Sequence, residues 1–288
     1  MCVPNYWDVV VRIPALTSPA TAVAIERAGS HVIFMDVSAT GQLPSRHLEE
    51  WKDNSQDAIV HVDLWGVSDP GFRDAFGQLP IIFDRCQGHG FKSYRGGFGE
   101  AYSFYPTKNL GALGDGGAIC TEYEDVANEC RTYRQYGWNS RRVCVEEGMN
   151  SRMDEIQAAV LRVKLPHLKS WTAIRQNIMA RYFDALKGIE GVRCLYERSG
   201  PHNGHICPVY ADDRARFRKY LADSGIETAV HYDTPLPEMP VWGMCGSGRF
   251  PNAFDIARHE ISLPCYPEMK ESEISMVCDA LAEYGGNP

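Results

Sequence analysis

The chain has no apolar run long enough to cross a bilayer, and residues 1–13 carry charge and Pro4, so neither a membrane span nor a secretory leader is expected. It also has no run of lysine or arginine. Its 29 basic residues against 37 acidic ones leave a formal net charge of -8, which argues against a nucleic-acid surface and leaves any phosphorylated ligand to a local positive site. Cysteine is plentiful at ten residues, but the spacing of a metal or disulfide framework is absent. Cys2, Cys86, Cys120, Cys130, Cys144, Cys194, Cys207, Cys245, Cys265 and Cys278 contain no C-x-x-C pair and no cluster with histidine, so they read as reduced, mostly buried small residues with no metal bound. Internal repeats and low-complexity linkers are lacking too. These absences leave a cytoplasmic globular protein as the expectation.

What is present fits an α/β architecture. The 288 residues are 44% apolar and 23% charged, enough for a substantial core in two lobes. Near-continuous apolar runs at 9–11, 31–35, 58–62, 80–83 and 101–105 suit strands covered on both faces. Between the first two, Ser18 can cap a helix, Pro19 fits its first turn and Gly29 its end, which makes the strand–helix–strand unit of a parallel sheet. From Met153 the period changes: Ile156, Val160, Val163, Trp171, Ile174, Ile178 and Tyr182 recur at helical spacing, predicting a long helix bent near Pro166. Beyond it, strands are expected at 206–210 and 227–232, helices at 214–224 and 271–284, and a loop at 234–251. The expected division is a large domain at 1–165 and a smaller α+β domain at 166–288.

Two short segments carry chemistry. Ser103-Phe104-Tyr105-Pro106-Thr107-Lys108-Asn109-Leu110-Gly111 sets one lysine in a glycine-rich turn after an aromatic strand, where a lowered pKa would make its amine a nucleophile. Asp84 ends the run at 80–83 and is followed by Arg85-Cys86-Gln87-Gly88-His89-Gly90. Both come off strand ends, the edge at which open α/β sheets bind ligands. Taken alone, these residues support a lysine and a carboxylate at a cleft. A surface lysine and a turn-capping aspartate remain open readings. Ser103 could as well bond neighbouring backbone, Asn150 and Arg152 could be a cap and a salt bridge, and His89 could be a satisfied structural histidine.

In combination the Asp-x-x-Gln-x-His-Gly and Ser-Phe-Tyr-Pro-x-Lys-Asn-Leu-Gly motifs resemble the DegT/DnrJ/EryC1/StrS family of sugar aminotransferases, which use pyridoxal 5′-phosphate (PLP), and the resemblance runs from about Val9 to the C-terminus. It implies the aspartate aminotransferase-like fold (fold type I), a mostly parallel sheet sandwiched by helices with a smaller C-terminal α+β domain. It also implies roles. Lys108 would hold PLP as a Schiff base and serve as acid and base, Asp84 would pair with the pyridine nitrogen, Gln87 with the phenolic oxygen, and His89 would lie on or near the ring. Ser103 would contact the phosphate. Asn150 and Arg152, in a segment similar to the one that opens the family's long helix, would reach the cofactor phosphate of a partner subunit. His231 and Tyr232 match a motif near the substrate mouth.

The implied reaction takes an amino group from an amino-acid donor, glutamate in most relatives, to a keto group of a nucleotide-linked sugar, in a homodimer. Members with histidine in place of this lysine dehydrate instead, so Lys108 favours transamination over a sugar dehydratase. The sequence departs from the family before Val9, where a glycine-containing phosphate-binding turn is usual and residues 1–8 have no glycine. It departs again at Thr17-Ser18-Pro19, where relatives commonly place an aromatic residue. These departures point to a heteromeric partner supplying the missing elements, or to a non-catalytic homologue acting in binding or assembly, as the alternatives.

Overall fold

The computed structural model describes residues 9–45, 58–69, 80–91, 97–196, 200–243 and 246–286. Apolar runs at the expected places form β1 (Val10–Pro14), β2 (His31–Met35), β3 (Ala58–Val62) and β4 (Ile81–Asp84), joined by β5 (Gly99–Ser103) and β6 (Gly117–Cys120). The six-stranded sheet has the order β2-β1-β3-β4-β5-β6, with every neighbouring pair parallel except β5 and β6. The hydrophobic pattern follows position. Every residue of central β3 is buried, whereas the edge strands β2 and β6 hold only half-buried and exposed residues.

Helix α1 (Pro19–Arg27) joins β1 to β2 as expected: the Ser18 hydroxyl accepts from the Ala20 amide, Pro19 occupies the first turn, and Gly29 takes φ 80° after the end. Helix α2 (Glu124–Tyr133) follows β6. The long helical run is broken where predicted. α3 (Glu155–Lys164) passes through a 3-10 turn at Leu165–His167 into α4 (Leu168–Ala185), because Pro166 has no N–H to continue the ladder.

A second, three-stranded antiparallel sheet has the order β7 (Val192–Cys194), β8 (Cys207–Ala211), β9 (Glu260–Leu263), packed with α5 (Arg214–Asp223), α6 (Pro251–His259) and α7 (Glu271–Gly286). One apolar cluster links the sheets through α4, from Ile13 and Val60 by way of Ile178 and Tyr182 to Val209 and Leu281. Among the described residues no helix is long and apolar enough to cross a membrane, and the described cysteines are free.

Two expectations need correction. The strand expected at 227–232 is reduced to a single bridge between Ala229 and Ser262. Its next backbone groups are claimed by side chains instead: the His231 amide donates to Glu260 Oε2 at 2.7 Å, and the His231 carbonyl accepts from the Trp65 indole at 2.7 Å. The strand expected at 101–105 ends at Ser103, since the chain turns at Tyr105 and Pro106. Within the segment read as loop, 3-10 turns at Leu236–Glu238, Pro240–Trp242 and Ser247–Arg249 precede α6, whose start at Pro251 closes it.

The turn after β3 depends on Trp65, fully buried and itself at φ 61°. Gly41, at φ 75°, lies against its ring so closely that a Cβ would sit 2.5 Å from a ring carbon. Gly41→Ala combines a left-handed backbone penalty with overpacking, and the expected loss is about 2–3 kcal/mol of stability. Chemical denaturation measures it; an unchanged midpoint would show that the indole is not held at Gly41.

Candidate functional site

The carboxyl ends of β3, β4 and β5 bring the site together. Asp84 is the last residue of β4. Its two oxygens are held from different elements: Oδ2 accepts the Thr21 hydroxyl of α1 at 2.8 Å, and Oδ1 accepts the Cys86 amide at 3.1 Å. The carboxylate is therefore oriented before any ligand arrives.

Lys108 lies in the connection from β5 to β6. That connection is folded on itself: the Lys108 amide donates to the Tyr105 carbonyl at 2.9 Å, the Ala112 amide to Phe104 at 2.8 Å, and the Phe104 amide to Gly116 at 2.7 Å. Gly111 has to be glycine there, since a Cβ would stand 2.3 Å from the Pro106 carbonyl oxygen. The half-buried Lys108 opens on a cleft of about 910 Å³ whose lining includes Gln87, Trp171, Arg175, His231 and Tyr232. Burial lowers the proton affinity of its amine, with Cys86 and Asp84 acting in the opposite sense. The neutral, nucleophilic amine is thereby favoured.

The wall of the cleft is a hydrogen-bond network. Gln87 Oε1 accepts the Trp65 amide at 2.5 Å, which leaves its Nε2 to donate, and Nε2 reaches the Tyr232 hydroxyl at 3.4 Å. Asn203 Nδ2 donates to the carbonyls of Gln87 and His89, at 2.7 and 3.0 Å. The Asn203 carbonyl accepts from Asn109 Nδ2 at 3.2 Å, and Asn109 Oδ1 lies 3.0 Å from His205 Nδ1. Asn109 is the neighbour of Lys108 in sequence, so the lysine loop is tied through Asn203 to the segment after Asp84. Trp65, Asn203 and His205 escaped the sequence reading. The signal for them was weak: polar and aromatic residues beside glycine in Asp63-Leu64-Trp65-Gly66, directly after a buried strand, and in His202-Asn203-Gly204-His205.

The expected site residues fall into three groups. Lys108, Gln87, His231 and Tyr232 line one cleft, and Asp84 lies within electrostatic reach of Lys108 and Tyr232. His89 and Ser103 are not among the residues that line the cleft. The His89 ring is 3% exposed and packs on Tyr102 and Phe104 with centroids 5.6 and 5.9 Å apart. Ser103 Oγ accepts the Tyr105 amide at 3.2 Å, the local backbone bond that its position allowed. Asn150 and Arg152 are exposed and outside the cleft lining; Asn150 Oδ1 accepts from Arg152 Nε at 3.1 Å, and the guanidinium lies 5.7 Å from the Tyr136 ring centre.

The chain and its fold are similar to known proteins. The sequence pattern of the DegT/DnrJ/EryC1/StrS aminotransferase family matches residues 7–282. A pleiotropic regulatory protein of Geobacillus stearothermophilus is 35% identical over 286 residues, covering 94% of this chain and 77% of that protein. The dTDP-3-amino-3,4,6-trideoxy-alpha-D-glucose transaminase of Streptomyces venezuelae is 36% identical over 244 residues, covering 79% of this chain and 63% of the relative. Among solved structures, S. venezuelae DesV is similar with a TM-score of 0.90 at 30% identity, covering 99% of this chain and 80% of that one. NtdA of Bacillus subtilis with bound cofactor PMP has a TM-score of 0.87 at 25% identity, covering 98% and 68%.

His89 gives the fold a dependence on pH. Burial, aided by the nearby Lys108 charge and opposed by the Ser103 backbone, lowers its pKa to about 4 from 6.5. Between those values the unfolded chain binds the extra proton, so the stability contributed by neutral His89 is complete above about pH 6.5 and is lost as pH falls through about 4. The shift corresponds to about 3 kcal/mol. His89→Gln should flatten this part of the stability profile, as read by denaturant unfolding at several pH values. Glu260, whose burial raises its pKa to about 7, contributes with the opposite sign in both proteins and cancels in the difference. Identical profiles would remove His89 from this role.

Proposed function

Since the chain belongs to the DegT/DnrJ/EryC1/StrS aminotransferase family, we propose that it is a PLP-dependent aminotransferase carrying an amino group from an amino acid, glutamate first among donors, to a keto group of a nucleotide-linked sugar. The observation that carries this reading is a lysine amine of lowered proton affinity, opening on the cleft within the field of an anchored carboxylate. Similarity to sugar transaminases from several bacteria supports the acceptor class.

The residues present fit PLP chemically. A carbonyl-reactive amine is supplied by Lys108, a fixed carboxylate for a cationic ring nitrogen by Asp84, and a donor for a phenolic oxygen by Gln87. Because Gln87 Oε1 is taken by the Trp65 amide, its Nε2 is the group that faces the cleft. His89 keeps its ring neutral behind them. We assign the phosphate to Ser103 and, across a homodimer interface, to Asn150 and Arg152 of a second copy, which their exposure would permit. Leu113, Ile156, Val163 and Leu165 are each more than half exposed, and such apolar surface supports an interface at α3.

Bound there, PLP supplies the electron sink that stabilises negative charge at the donor's α-carbon. Lys108 Nζ, favoured in its neutral form, takes the proton from that carbon and holds it for return. Asp84 keeps a proton on the ring nitrogen by charge and hydrogen bonding. Arg175 and Lys164 add positive charge to the same cleft, suited to a donor carboxylate and a nucleotide phosphate, and His231 and Tyr232 face the substrate side. A place in the cytoplasm accords with this chemistry.

Two measurements test the assignment. PLP incubated with the protein should give a visible absorption band that glutamate converts to the pyridoxamine form, and borohydride should fix the cofactor covalently in the wild type but not in Lys108→Ala; equal labelling of that variant would refute Lys108 as the anchor. Asp84→Asn should still bind cofactor while the glutamate half-reaction slows by about 100-fold or more. A wild-type rate in that variant would remove Asp84 from its role.

A further inference from the structure

Running back from the cleft is a chain of three polar groups, of which the proposed reaction uses only His231. Glu260, the first residue of β9, is fully buried. Both of its oxygens accept hydrogen bonds: Oε2 from the His231 amide at 2.7 Å, and Oε1 from the Ser262 hydroxyl at 2.5 Å. The same hydroxyl lies 2.9 Å from His231 Nδ1, and the ring of His231 lines the cleft with Lys108.

Proton counting along this chain decides which way the imidazole faces. A serine hydroxyl has one proton to give. When Glu260 is ionised it can only accept, so Ser262 donates to it and must itself accept from His231, which places the imidazole proton on Nδ1. Nε2 is then a bare lone pair. When Glu260 is protonated, the proton sits on Oε1, since Oε2 already accepts the His231 amide. The carboxyl then donates to Ser262, Ser262 turns its proton to Nδ1, and the imidazole proton moves to Nε2. One proton taken up by Glu260 thus exchanges an acceptor for a donor while the imidazole stays neutral.

We propose that the Glu260–Ser262–His231 chain sets the tautomer of His231, so that Nε2 accepts a hydrogen bond from a hydroxyl of the bound sugar beside the keto carbon that faces Lys108. This rests on the aminotransferase reading for the identity of the ligand, but not for the tautomer itself. Glu260 and Ser262 act through His231 as positioning residues.

The groups facing the chain permit the switch near neutral pH. Burial raises the pKa of Glu260 to about 7, against the pull of Ser262, the His231 amide and Arg214 of α5, which donates to the carbonyls of Ala257 and Glu260. Tyr210 of β8 is its ladder partner, and Cys207 of β8 lies within its field. On the cleft side, burial and the charge of Lys108 lower the proton affinity of His231, and His205 lies within reach of both. Both influences favour the neutral imidazole as Glu260 takes up its proton.

The test reads the tautomer directly. The full chain is prepared with nitrogen-labelled histidine, and the ring is observed by long-range proton–nitrogen correlation, the His231 signals being identified by their loss in His231→Gln. At about pH 8.5 the wild type should carry its ring proton on Nδ1, and as pH falls through about 7, where Glu260 titrates, the proton should move to Nε2. In Glu260→Gln the side-chain oxygen must accept the His231 amide, so the amide NH2 donates to Ser262 and the proton should stay on Nε2 at every pH. A proton on Nε2 in the wild type at high pH, or a tautomer that ignores pH, would overturn the proposal even if the variant does not fold. Because none of these signals needs turnover, they stand or fall apart from the aminotransferase reading. For the sugar contact, KM for the keto sugar in Glu260→Gln should rise about tenfold at high pH and match the wild type at low pH. Equal KM values at high pH would remove His231 Nε2 from the sugar.

Discussion

The site is organised by the need of one buried tryptophan to satisfy its two N–H groups, one on the backbone and one on the ring. Trp65 is fully buried, and an unpaired donor there would cost about 1–3 kcal/mol. Its backbone N–H goes to Gln87 and its ring N–H to the His231 carbonyl, residues 22 and 166 positions away in sequence. The first bond fixes which end of the Gln87 amide faces the cleft. The second diverts the chain at His231 out of the small sheet, and His231 lines the same cleft as Lys108. A residue without proposed chemistry of its own thus determines the aim of two that have it.

The electrostatic character of the cleft follows from the same burial. Lys108, His89, His205 and His231 all have depressed proton affinities, and desolvation is the largest cause in each case. Their charged forms are disfavoured in a space where Asp84 is anchored by Thr21 and the Cys86 amide. Cys86, next to these groups, is pushed the other way: burial raises its thiol pKa far above the usual range, which keeps it inert. Burial thus disfavours the charged form of each base, and the anchored carboxylate provides the charge that a cationic ring would need.

Much of this was legible because it is local. Buried strands reveal themselves by continuous apolar runs, the start of α1 by Ser18 and Pro19, and the break between α3 and α4 by Pro166, since in each the determining interaction lies within a few residues. Lys108 and Asp84 were legible as strand-end residues in distinctive motifs. Strands β7 and β9 and helix α6 were not read, because the first two are short and their pairing partners are far away in the chain. The expected strand at 227–232 failed for the complementary reason. Its composition suited a strand, but Glu260 and Trp65 capture the backbone groups that a ladder would have used.

The sequence by itself determined the alternation of strands and helices, the family, and the lysine and carboxylate on which the proposed chemistry rests, because apolar period, capping and motif spacing are properties of neighbouring residues. Only the tertiary structure decided which polar groups meet. It placed Asn203 between Gln87 and the loop of Lys108, turned Gln87 by means of Trp65, and set Glu260 and Ser262 behind His231. Those contacts join residues far apart in the chain, and they hold because a buried donor or acceptor must find whatever partner the packing brings within reach.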